Sequence, residues 1–118
     1  MTHVPVNDLA AISEELLTEA RASSSGRAAR TLLGERGQAL HQTLVALLAG
    51  QGMAEHVNPG QASVQVLIGA LTLRYGQESL TGGVGTLLRV PAQDHSVLAD
   101  QDTVMLLTVA KSPGPDRP

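Results

Sequence analysis

The chain has 118 residues, 42% of them hydrophobic and only 16% charged, with a net charge of −3 at pH 7. That length makes one domain with its own core, and the charge balance leaves no electrostatic footprint for DNA or RNA. The chain has no cysteine, and Tyr75 is its one aromatic residue. Disulfides, thiolate metal sites, aromatic cages and base-stacking platforms are therefore excluded.

The first predicted element is a helix. Asn7 or Asp8 can cap it, and Leu9, Ile12, Leu16 and Ala20 form one apolar stripe running to about Ala22. Ser23-Ser24-Ser25-Gly26 ends it. From there the pattern is short strands, expected at Ala28–Leu33, Leu40–Leu48, Met53–Val57, Ala62–Ile68, Leu71–Tyr75, Thr86–Val90, His95–Ala99 and Thr103–Ala110. The breaks fall at glycine-containing turns, with Gly82-Gly83-Val84-Gly85 expected as a hairpin. Strands recurring without helices between them predict an antiparallel sandwich or barrel. Three segments follow: a helical extension over 1–26, a β-domain over 27–111, and a proline-rich tail over 112–118 that is expected to be disordered.

Two strands lack a polar face. Thr43–Ala49 and Val104–Ala110 are apolar at odd and even positions alike. Such strands are buried on both sides. A homodimer packed sheet to sheet would cover them, and the N-terminal helix alone is the other candidate cover. The low charge content, below the roughly 25% usual for soluble domains, favours the dimer. No apolar run approaches the roughly 18 residues of a membrane span and no signal pattern opens the chain, so a cytoplasmic protein without a membrane partner is expected.

His56 and His95 each stand beside a turn and each opens or borders a predicted strand. If His56 points inward, Asn58 does too, because side chains repeat with period two. On the following strand Val64, Val66 and Ile68 are the apolar set, with Ala62 at the rim of the same face. Leu88 and Val90 are expected to face in, and Val97 shares a face with His95. Both histidines can thus project into one barrel interior. His41 lies on a strand apolar at both parities, so its direction is not assigned.

Around these residues the sequence resembles the cupin superfamily. The first cupin motif runs Gly, five residues, His-x-His, three or four residues, Glu, six residues, Gly. Gly50, His56 and Gly69 match it, while Asn58 and Ala62 stand where the second histidine and the glutamate would be. In the second motif Gly85, Pro91 and His95 match, with Ala99 in place of an asparagine. Gly26-Arg27-Ala28-Ala29-Arg30-Thr31-Leu32 and Leu107-Thr108-Val109-Ala110-Lys111 also look like a group of small stand-alone cupins. The resemblance covers roughly residues 27–111. It implies an RmlC-like jelly-roll or double-stranded β-helix barrel, all-β apart from the one N-terminal helix.

What the resemblance implies for function is a small molecule, and a metal ion, held in the barrel. His56 and His95 are the metal candidates, with His41 as the third ligand if it faces in. Asn58, Ala62, Val64, Val66 and Gln42 are the candidate pocket residues, and the expected ligand is small and polar. A divalent transition metal (Ni, Zn, Fe, Mn or Cu) is the candidate cofactor. A metal-dependent oxygenase or isomerase using His56 and His95 is the alternative, and whether the chain is an enzyme stays open. Two imidazoles fall short of the three or four ligands such a centre uses. No serine sits in a strained nucleophile turn, and the Gly82–Gly85 run lacks the Lys-Ser/Thr of a phosphate loop.

Overall fold

The computed structural model describes residues 6–55 and 61–111. His3, His56, Val57, Asn58 and the tail over 112–118 lie outside the described residues. The first element is a helix, α1 (Leu9–Ala22), capped by Asp8, whose side chain accepts from the Ala11 amide at 3.1 Å. Among the described residues nine strands follow: β1 (Arg27–Leu33), β2 (Leu40–Leu47), β3 (Gly52–Glu55), β4 (Gln61–Ile68), β5 (Ala70–Tyr75), β6 (Glu78–Gly83), β7 (Leu87–Arg89), β8 (His95–Ala99) and β9 (Thr103–Ala110).

They form two antiparallel sheets, one ordered β1-β2-β9-β4-β7 and the other β3-β8-β5-β6. Neighbours in sequence often belong to different sheets, so the chain passes back and forth between the layers as in a jelly roll. Register then decides which residues meet. Val45 lies opposite Met105 and Met105 opposite Val66, so these three share the inner face of the first sheet. Leu71, Leu73, Val97 and Ala99 face them from the second sheet in one buried cluster.

The outer face of the first sheet carries a second cluster. Leu16, Leu17 and Ala20 of α1 pack on Leu44, Ala46 and Val104, all of them buried. This is why β2 and β9 are apolar at both parities: one side faces the barrel interior and the other faces the helix. The pattern that suggested a second subunit is met within one chain and no longer argues for a dimer. Arg30, on the outer face of β1, reaches Glu15 and Glu19 of the helix at 2.9 Å each and ties the helix to the sheet edge.

One strand was missed. The sequence of β6 is polar and ends in Gly82-Gly83, which were expected to form the turn itself. Instead Gly82 pairs with Leu71 and Gly83 with Ala70. A Cβ on Gly82 would come within 2.8 Å of the Thr86 Cβ, so this glycine serves close packing inside the ladder. The turn follows at Val84-Gly85.

Ser13 is the exception in the helix–sheet layer. It is 1% exposed, and its hydroxyl is the one buried side-chain oxygen without a hydrogen-bond partner among the described residues. A hydroxyl left unsatisfied costs about 1–3 kcal/mol, and alanine is the better helix former. Ser13→Ala should therefore raise stability by about 1 kcal/mol. A urea midpoint that fell would mean that the hydroxyl has a partner.

Candidate functional site

The two inner faces leave a cavity of about 80 Å³ at one end of the barrel. Its walls are Met53, Val64, Val90, His95, Val97, Met105, Leu107 and Val109. Strand alternation puts them there. His95 and Val97 are alternate residues of β8, and Met53 of β3 lies opposite Val97. Across the barrel Leu107 lies opposite Val64, and Val109 opposite Ala62. Val90 follows the end of β7 and is held by its amide, which donates to the Ala62 carbonyl at 2.9 Å.

Among the described wall residues His95 alone has a strong hydrogen-bonding side chain, and it is 8% exposed. Its Nδ1 lies 3.0 Å from the Gln93 carbonyl oxygen, two residues back in the chain. A carbonyl only accepts, so Nδ1 carries the proton in this bond. In the neutral imidazole Nε2 then keeps its lone pair. No described residue hydrogen-bonds Nε2. The backbone thus fixes both the ring plane and the tautomer, and the other described wall residues are apolar.

The remaining candidates separate by face. Val64 lines the cavity, while Val66 sits deeper in the core with no exposed surface, and Ala62 is buried on the same inner face. Gln42 is a correction. It belongs to the parity of Leu44 and Ala46, which meet the helix, and its amide donates to Thr108 Oγ1 at 3.0 Å on the outside of the sheet. Its polar head turns away from the barrel because the inner positions of β2 are the odd ones.

His41 has inner parity, opposite Val109, yet does not line the cavity. Its Nε2 lies 2.8 Å from the Gln38 carbonyl, and Gly34 packs against the ring with no room for a side chain. The connection between β1 and β2 therefore uses this imidazole. His56 and Asn58 lie outside the described residues. Glu55, the residue before His56, pairs with His95 across the β3–β8 ladder.

The fold has solved counterparts. The conserved SPY1581 protein of unknown function from Streptococcus pyogenes is 28% identical, with a TM-score of 0.71 over 97% of this chain and 93% of that one. A cupin superfamily protein from Desulfitobacterium hafniense superposes with a TM-score of 0.67 at 16% identity, covering 73% of this chain and 78% of its own. An RmlC-like cupin from Desulfovibrio desulfuricans gives 0.62 at 22% identity, over 71% and 81%. The chain has the fold of the small cupins. No protein-family model and no curated protein matches its sequence.

Within this fold the metal motif can be tested on the donor atoms present. Among the described residues there is no group of three or more His, Cys, Asp or Glu side chains able to hold a metal ion. Ala62 offers no donor where the motif has glutamate, and the His41 ring is committed to Gln38. The described wall of the cavity supplies the His95 imidazole and two methionine sulfurs. These do not fit a centre built from several nitrogen and oxygen ligands.

The sequence reading missed Met53, Met105, Leu107 and Val109 as wall residues. On β9 no signal was available, because both faces of that strand are buried and apolar. Val90 and Val97 were legible from alternation beside His95.

Proposed function

We propose that this cupin is a binding protein whose barrel holds one small molecule on His95. The observation that carries the reading is the His95 ring, held by its Nδ1 on the Gln93 carbonyl in the wall of an otherwise apolar set of described cavity residues. The wall favours a ligand more apolar than the polar one expected from the sequence.

Met53 and Met105 make the test direct, because both line the cavity. With methyl-labelled methionine, millimolar benzene should shift both methyl resonances in the wild-type protein. Unmoved signals would mean a closed, filled barrel, as in a purely structural module.

A metal-dependent enzyme using His56 and His95 is the second reading. One observation favours it: an imidazole whose Nδ1–H is held by a carbonyl is also oriented to ligate through Nε2. It requires near-stoichiometric transition metal in protein purified without a histidine tag, lost in both His56→Ala and His95→Ala. Metal-free wild-type protein of unchanged stability would remove it.

A further inference from the structure

We propose that Met53, Met105 and His95 form a site for a soft monovalent metal ion, copper(I), inside the barrel. The site stands independently of the small-molecule reading, because it uses the donor atoms of the wall and not room for an organic body.

Placement comes first. The chain contains three methionines, and the two among the described residues both line this cavity. They reach it from different sheets. Met53 lies on β3 opposite Val97 of β8, two positions from His95, and Met105 lies on β9 between Val45 and Val66. Side chains on one face of a strand repeat every second residue, so Met53 and His95 are diagonal neighbours on the inner face of the second sheet. Met105 faces them from the first. His95 is also the only buried titratable side chain among the described residues. Two thioethers and one imidazole thus meet in a core whose other described members are leucine, valine and alanine.

The donor chemistry selects the ion. Thioether sulfur is a soft ligand that suits Cu(I), whereas Mg²⁺ and Ca²⁺ require oxygen. Thioethers and neutral imidazole offset none of the charge of an ion, so a monovalent ion is less costly to bury on them than a divalent one. His95 is prepared for the role, because Nδ1 donates to the Gln93 carbonyl at 3.0 Å and leaves Nε2 as the ligating nitrogen. Methionine has three rotatable bonds, so both sulfurs can close on one ion while the strands stay in place. A cavity of about 80 Å³ accommodates a single ion.

The test uses the full chain, given Cu(I) anaerobically under ascorbate in competition with the chelator bicinchoninate. One Cu(I) should bind per chain and shift the methyl signals of both Met53 and Met105. Met53→Leu and Met105→Leu nearly conserve side-chain volume, so both should fold with urea midpoints close to wild type. Each should weaken Cu(I) binding at least about tenfold, since a lost ligand costs no less than a lost partner behind a ligand. His95→Leu should weaken it by a similar factor.

Cu(I) held as tightly by the Met53→Leu/Met105→Leu double variant, or bound by wild type with neither methyl signal moved, would put the ion elsewhere on the chain and overturn the proposal. Zn(II) bound more tightly than Cu(I) would overturn it in favour of nitrogen and oxygen donors. Methyl shifts with benzene and none with Cu(I) would remove the copper site and leave the small-molecule reading standing. The reverse pattern would remove that reading and keep the copper site.

Discussion

Replacing Gly69 by alanine should destabilise the protein by about 2–6 kcal/mol. Gly69 is the single residue between β4 of one sheet and β5 of the other, so the chain must turn the corner of the barrel within it. It does so at φ +83°, a left-handed conformation that side chains other than glycine rarely adopt. A Cβ there would stand 2.6 Å from Thr103 Oγ1 and closer still to the Asp102 carbonyl. Neither neighbour can yield cheaply. Thr103 is fully buried, lies within hydrogen-bonding distance of the Ala70 and Gln101 carbonyls at 2.9 and 2.8 Å, and accepts from the Ala70 amide at 3.2 Å. Backbone strain and displacement of this hub therefore add. Urea unfolding of Gly69→Ala should show a much lower midpoint at an unchanged slope. A midpoint within the error of wild type would mean that the corner relaxes freely.

The second large effect is expected at the helix. Leu16 is fully buried between α1 and the outer face of the first sheet, among Leu44, Ala46 and Val104. Leu16→Ala removes three carbons from a packed layer and should cost about 2–5 kcal/mol, depending on how far the layer collapses. The same variant asks whether α1 is part of the cooperative fold. Undocking the helix would leave the buried side chains of β2 and β9 in water, so helix and barrel should unfold together. Helicity by circular dichroism reports α1, and Tyr75 at the end of β5 reports the second sheet. Coincident transitions by both probes are the expected result. An early loss of helicity with Tyr75 unmoved would show an extension that the barrel does not need.

The candidate site divides along the same line as the fold. His95 and its face were legible because β8 alternates cleanly, with His95, Val97 and Ala99 buried and Leu98 exposed. Val90 was legible for the same reason. Gln42 was misplaced because β2 is apolar on both sides, so nothing in its own sequence says which parity faces the barrel. Only the docking of α1 on Leu44 and Ala46 decides that the odd positions are inner. The same ambiguity hid Met105, Leu107 and Val109, three of the eight described residues that line the cavity.

The sequence by itself determined the class of the protein. Period-two patterning and glycine punctuation are local properties, and they specified one N-terminal helix followed by an antiparallel β-domain. The spacing around His56 and His95 was enough to bring out the cupin resemblance. The tertiary structure alone decided what covers the two-faced strands, that β6 is a strand despite its polar, glycine-ending sequence, and that His95 is fixed through Nδ1. The physical reason is that cover, strand partners and tautomer depend on atoms brought together across sheets and turns. No local pattern encodes those contacts.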